Sequence, residues 1–549
     1  MKKKIIASLL CICMMLSLFA LVGCAADSPA VSPVQDADAA PGGNQDAPGA
    51  GTTQPTPGEP QHGGILRMAV TGTTANPGFT PINTTNASLI YMRIAYESLL
   101  TFDEHGALEP LLATSWETDP DAPSITWNLR QGVQFADGEP FNAEAVRVNI
   151  EAYRENNRSE VMNVASMDII NDYEIRMNLY HWNSAAVESI GFFVLFMSPR
   201  AMENPDQFMT TTVGTGPFQL TEFVPNISAV YMRNENYWQE GRPFLDGVRV
   251  HVVEEVTTMA AAFIAEEFDL VATPNSDLTR NLSATHADWI ASGDIIQVIN
   301  SSGQGLVSTG LIPGSADPDS PWHDARVRRA LAHAINADLI VEAFAHGATR
   351  TNQWAVPGSI TFNNALTAPT YNPDRARELL AEAGFPDGFD TTMNIIGGDM
   401  WTAIAGMLTD AGIRTNINII DSATMFAFMA GTWDGLMVHA ATVAPDLGLY
   451  MGRHLGDDAT FYASGIVRPQ EAVDMLERVR SARTDEEKHE YSMQLQHLIY
   501  NAEDGLMLFG AVLFAEPMHV FRHAWLQNNT FSVNFNGVAV CLANTWLSR

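Results

Sequence analysis

Apolar and polar residues alternate along this chain with two different periods. Ile125, Trp127 and Leu129 alternate with Thr126, Asn128 and Arg130, and Tyr173, Ile175, Met177 and Leu179 alternate with Glu174, Arg176 and Asn178. A period of two sends successive side chains to opposite faces, so each stretch predicts a half-buried strand of an antiparallel sheet. Between them Asn142 precedes a segment that sets Val146, Ile150 and Tyr153 on one helical face, which predicts a helix capped by Asn142. Ile65–Val70 and residues 248–256 predict further strands, and TTMAAAFIAEEFDLV predicts a helix followed by a strand. From about residue 320 the helical period is strong. Val327, Leu331, Ala334 and Ile335 form one stripe. Asn372 caps a helix that Pro373 opens and Gly384 stops, with Ala376, Leu379, Leu380 and Ala383 facing inward. MNIIGG and TNINII alternate with helices, which makes this half α/β. Ala472, Met475, Leu476 and Val479 line one more helix, and Thr484 with Glu487 predicts a capping box for the next.

The N-terminus follows a different pattern. Lys2, Lys3 and Lys4 precede an apolar run, Ile5 to Leu21, broken only by Ser8 and Ser17. That is the charged and apolar order of an export signal. As a membrane span the run is at the lower limit of length, and no basic cluster follows it. It ends in Leu21-Val22-Gly23-Cys24, which resembles a lipobox, so residues 1–23 are expected to be a lipoprotein signal peptide and Cys24 to carry lipid. Residues 24–62 are rich in Ala, Pro, Gly, Asp and Gln, with only Val31 and Val34 as branched apolars. Such a segment buries too little surface to offset its ordering entropy and is expected to be a disordered tether.

The rest of the 549-residue chain is too long for one core, so two or three lobes are expected. The net charge of −33 excludes a general nucleic-acid binder, which needs basic side chains against phosphate. That charge reflects a shortage of bases: Lys488 is the only lysine after the leader. Of four cysteines, Cys11 and Cys13 are in the leader, Cys24 takes the lipid and Cys541 stands alone, so no internal disulfide is expected. Cys541 reads as a small buried apolar residue. No G-x-S-x-G, H-E-x-x-H or Walker A pattern occurs, and His489 and His497 read as solvent-facing helix residues. No enzyme, resident metal or cofactor is expected.

Several stretches, in order, resemble one family. These are YESLLTFDEHGALEPLLATSWE, ITWNLRQGVQFADGEPFNAEAVRVNIEAY, GTGPFQLTEF, NENYW, DARVRRALAHAIN and NPDRARELLAEAGF. Together they resemble the extracytoplasmic solute-binding proteins of peptide and nickel ABC importers, over about residues 65–510. The resemblance implies an α/β, two-lobe, type II periplasmic-binding-protein-like fold with an extra subdomain on the first lobe. It places lobe I at 63–105, 214–300 and 506–549, the extra subdomain at 106–213 and lobe II at 301–505. The hinges are expected near Asn300–Gly303 and Asn501–Gly505. It also implies an extracytoplasmic monomer, lipid-anchored to the cell membrane at the cell surface or in the periplasm, enclosing a small solute, most simply a peptide, for an ABC permease with separate ATPase subunits. An oligosaccharide, a metal chelate or a ligand receptor feeding a sensor stay open as alternatives, with a secreted hydrolase the weakest.

Peptide-binding members carry an Asp on a late strand that pairs with the ligand's α-ammonium. In WDGLMVHAATVAPDLG, His439 stands near the family's Trp and Thr442 near its Asp, so the carboxylate is absent or supplied by Asp446. His439 has three readings: a hydrogen-bonded strand histidine, a contact to an organic ligand, or a ligand to a metal chelate. Trp354 and Trp401 lie on expected loops and read either as stacking surfaces or as local packing. Asn76, after the first strand, reads either as an amide offered to the ligand or as a turn residue.

Overall fold

The computed structural model describes residues 58–71, 77–82, 86–102, 107–273, 282–283, 285–300, 307–345, 348–355, 362–442, 446–457, 459, 461–516, 518–528 and 542–549. Cys24, the expected tether, Asn76 and Cys541 fall outside them.

Strand β1 (Ile65–Val70) opens the fold. The short pair β2 (Leu100–Phe102) and β3 (Leu108–Pro110) leads to an antiparallel layer of β4 (Ala113–Asp119), β5 (Ser124–Leu129), β6 (Val164–Asn171) and β7 (Glu174–Leu179), in the order β4-β5-β7-β6. The period of two appears here as a buried face: Ile125, Trp127, Leu129, Ile175, Met177 and Leu179 all join one core. Helix Ala143–Glu155 covers that face with Val146, Ile150 and Tyr153, and Asn142 accepts the Ala145 N–H at 2.9 Å as its cap. This layer lies within the expected subdomain.

The chain then forms β8 (Phe218–Val224), β9 (Ser228–Arg233), β10 (Gly247–Val252), β11 (Leu270–Thr273) and β12 (Ile295–Asn300). It crosses to β13 (Val307–Pro313), β14 (Thr349–Arg350), β15 (Phe389–Ile395), β16 (Ile413–Ile419), β17 (Leu436–Thr442) and β18 (Ala511–Glu516), and returns in β19 (Met518–His523). Among the described residues these build a seven-stranded sheet, β12-β19-β11-β1-β10-β9-β8, and a six-stranded sheet, β14-β18-β13-β17-β15-β16. Helices pack on the second sheet as their patterns require. Asn372 caps Pro373–Glu382, whose Ala376, Leu379 and Leu380 are buried. Thr484 caps Asp485–Tyr500 through the Glu487 N–H at 3.1 Å. The reciprocal half of that box is shifted: Glu487 accepts from Arg483 N, one residue earlier than expected.

The two sheets are joined at one place. Asn300 pairs with Met518, and Val307 pairs with Glu516, so the outward crossing lies between 300 and 307 and the return between 516 and 518. The return therefore falls later than the expected Asn501–Gly505, and the second lobe runs past 505. Asn501 and Gly505 instead make a turn after the long helix, with Gly505 N donating to Asn501 O at 2.9 Å. The chain then adds β18 to the second sheet before leaving it. Gly310 is needed where β13 meets β18, because a Cβ there would lie 2.2 Å from Ala511 O.

Candidate functional site

The crossings orient both sheets. β1 is parallel to β10 and β11, and β11 runs antiparallel to β19, which starts at the return crossing. The carboxyl ends of β1, β10 and β11 thus point toward the crossings. In the second sheet β17 is antiparallel to β13, which starts at the outward crossing, and parallel to β15. The carboxyl ends of β17 and β15 point the same way. Open α/β sheets bind ligands beyond the carboxyl ends of their strands, so the crevice at the crossings is the candidate site.

Thr442 is the last residue of β17 and pairs with Val307, at the lip of that crevice. Asn76 follows β1 in sequence, outside the described residues. Asp446 caps helix Leu447–Leu455, accepting the Leu449 N–H at 2.9 Å, and its second oxygen is ion-paired with Lys488. Its charge is balanced by the chain's own cation. Trp401 lies in helix Asp399–Asp410, which starts beyond the carboxyl end of β15, and is buried in the second-lobe core with Ile404 and Leu408.

Trp354 and His439 come together. Their rings stack at 4.3 Å with an interplanar angle of 25°, inside the second lobe and surrounded by Tyr450, His454, Tyr462 and Phe509. His439 Nδ1 lies 2.9 Å from Tyr462 Oη, while His439 Nε2 and Trp354 Nε1 are buried without a protein partner. Burial, helped by the nearby His454, pushes the His439 pKa well below its ordinary value. Burial likewise pushes His454 down to about 3, against the favourable Nδ1–H donation to Tyr450 O at 2.8 Å. Both imidazoles are therefore neutral at neutral pH and serve as hydrogen-bonding aromatic surfaces. His489 and His497 are exposed on their helix. Among the described residues no group of three or more His, Cys, Asp or Glu is arranged to hold a metal ion.

The sequence reading missed a seam between the extra subdomain and the second lobe. Trp182 Nε1 donates to Ala482 O at 2.8 Å, Ser184 N to Arg480 O at 2.6 Å and Ser184 Oγ to Val479 O at 3.1 Å. Arg483 adds an ion pair to Asp121. Beside these contacts a cavity of about 480 Å³ contains Glu188, Asp446 and Lys488 on its lining. The single post-leader lysine was the available signal, and its place in this cluster depends on the fold.

A family model described as bacterial extracellular solute-binding proteins, family 5 (middle), matches residues 107–461. The chain belongs to this family. Its members are extracytoplasmic solute-binding proteins of ABC importers and not enzymes. Heme-binding protein A of Haemophilus influenzae is 28% identical over 54% of this chain and 57% of its own length. Glutathione-binding protein GsiB of Escherichia coli is 28% identical, with the same shares of the two chains. The chain thus spans just over half the length of the curated relatives it matches. Among solved structures, Helicobacter pylori DppA in complex with peptide STSA aligns with a TM-score of 0.73 and 21% identity, over 89% of this chain and 99% of that one. Bacillus subtilis AppA with a nonapeptide gives 0.74 and 18%, over 89% and 100%. Brucella suis NikA with Fe(III)-EDTA gives 0.75 and 19%, over 88% and 100%. The fold is the two-lobe, type II periplasmic-binding fold. Among the described residues no helix is long and apolar enough to cross a membrane.

Proposed function

We propose that this family member captures a peptide or peptide-like solute between its two lobes and presents it to an ABC permease driven by separate ATPase subunits. The observation that carries this reading is the convergence of the carboxyl ends of β1, β10, β11, β15 and β17 on the two crossings. Relatives of this chain are named for glutathione and heme, and similar folds hold a tetrapeptide, a nonapeptide or a metal chelate. A lipid on Cys24 and the following tether would keep the lobes beside the membrane while they sample the outside.

The same strand argues for the class of peptide. Thr442 stands where the resemblance places a carboxylate, and Asp446 is already paired with Lys488. A desolvated α-ammonium at the end of β17 would lack a partner there, which costs about 2–5 kcal/mol. Free dipeptides should therefore bind poorly, and longer or N-blocked peptides, whose polar groups meet backbone and neutral side chains, should bind better. Calorimetry against free dipeptides, tetra- to nonapeptides, glutathione, oligosaccharides and a nickel–histidine chelate tests this. Tight binding confined to longer or blocked peptides is expected. Submicromolar binding of several free dipeptides would refute the assignment at Thr442, and tight binding of sugars alone would replace the peptide reading.

A further inference from the structure

We propose that the cavity at the seam between the extra subdomain and the second lobe is a binding site, separate from the strand-end crevice, for an organic ammonium ion carried on a small apolar body, with Glu188 as its anchor. The cavity, about 480 Å³, is of the size that encloses a small organic molecule. Phe102, Trp116, Trp182, Val187 and Leu447 give it an apolar and aromatic wall. Glu188, in helix Ala186–Phe193, lines it at only 6% exposure, and its Oε1 has no hydrogen-bond partner.

The charges do not balance around that oxygen. Asp446 and Glu188 face the same cation, Lys488, and Asp446 takes its ion pair while Lys488 Nζ also donates to Ser184 O at 3.4 Å. Of the other charged groups on the lining, Asp485 adds negative charge, Arg483 is paired with Asp121, and His489 is exposed. Burial, and then the charge of Asp446, push the Glu188 carboxyl well above the usual range, while Lys488 pulls it down. Burial and the oxygen without a partner favour the neutral, protonated carboxyl, and an added cation favours the carboxylate. An incoming ammonium balances the charge when Glu188 releases that proton to solvent and its carboxylate accepts the ammonium N–H. The apolar wall favours an organic cation, because a hydrated metal ion would lose its water there, and among the described residues no cluster offers it enough ligands. Trp116 and Trp182 supply aromatic surface for a ring or for cation–π contact.

The test is calorimetry on the full chain with phenethylamine and its neutral counterpart 2-phenylethanol, in two buffers of different ionisation enthalpy at neutral pH. The amine should bind at least about ten-fold more tightly than the alcohol and release about one proton per molecule bound. Glu188→Gln should lower amine affinity by about ten-fold or more and leave the alcohol unchanged. Equal affinities for amine and alcohol, binding without proton release, no binding of phenethylamine up to about 10 mM, or amine binding indifferent to Glu188→Gln would each overturn the proposal. The amine–alcohol ratio and the proton count are read on the unaltered chain, so they decide the matter even if the variant misfolds.

Discussion

Asp269 in the first lobe and Glu188 at the seam are both buried carboxylates, and they differ in their supply of donors. Asp269 accepts the Arg67 backbone N–H at 2.8 Å, the Arg67 guanidinium at 2.8 and 3.2 Å and Trp525 Nε1 at 3.1 Å, and is ion-paired with Arg549. Burial alone would raise its pKa, but these donors prevail and hold it below the usual carboxylate range. Glu188 has one shared lysine and an oxygen without a partner, and its pKa goes the other way. The first arrangement ties β11 to β1 and to the end of the chain. The second leaves a carboxyl group that a ligand can complete. A surplus of donors marks a carboxylate that holds structure together, and a deficit beside a cavity marks one suited to binding.

The most severe way to break this comparison is Asp269→Ala. It removes the acceptor of an indole N–H and of two arginines whose side chains still reach water, which costs up to about 3 kcal/mol. Denaturant unfolding should show a loss of that size. No measurable loss would erase the distinction.

A second, smaller effect comes from acid. The folded pKa of His454 lies near 3 and its unfolded value near 6.5, so the unfolded chain binds a proton first. Its contribution is fully present above the unfolded value and is lost as pH falls toward the folded one. Between pH 6.5 and 4.5 the loss should be about 2 kcal/mol. His439, shifted in the same direction, adds to it. Glu97 acts oppositely. Burial raises it to about 7 against hydrogen bonds from Trp238, Thr215 and Tyr237, so its contribution is present below about 4.5 and fades as pH rises through 7. Melting curves of the parent and of His454→Gln across this range should converge toward acid. Parallel curves would show that His454 is not buried as a neutral ring.

The smallest effect is Glu188→Gln itself. Its carboxyl is raised in the fold, so the parent carries a cost at neutral pH that the amide removes. Thermal unfolding should show the variant more stable than the parent at pH 7, with the difference vanishing as pH falls below the ordinary carboxylate range. Destabilisation at pH 7 would mean that Glu188 has a partner of its own in the folded chain.

Local signals were the legible ones. Strands β5 and β7 followed from a period of two within six residues each, and the caps Asn142, Asn372 and Thr484 act on backbone groups three positions away. The return crossing was misplaced because the choice of sheet for Ala511–Glu516 is made by pairing with β13, some two hundred positions earlier, and a short, mostly apolar strand carries no record of its partner. Trp354 and His439 stood out as candidates, but their stacking inside a core depends on the long-range packing of β17 and the helices around it. Glu188 looked like any acid on a short helix. Its meaning arises only when Asp446 and Lys488 arrive from the other lobe. Lys488 was conspicuous as the one lysine after the leader, but its two acidic neighbours could not be read from composition.

The central claim, that a solute is held between two lobes whose sheets the chain links at residues 300–307 and 516–518, meets its most direct test in small-angle scattering. The full chain is measured alone and then at saturation with the peptide that binds most tightly in the calorimetric panel. The expected result is a smaller radius of gyration and a changed profile, as the lobes close at the two crossings. Superimposable profiles at proven saturation would contradict solute capture by lobe closure.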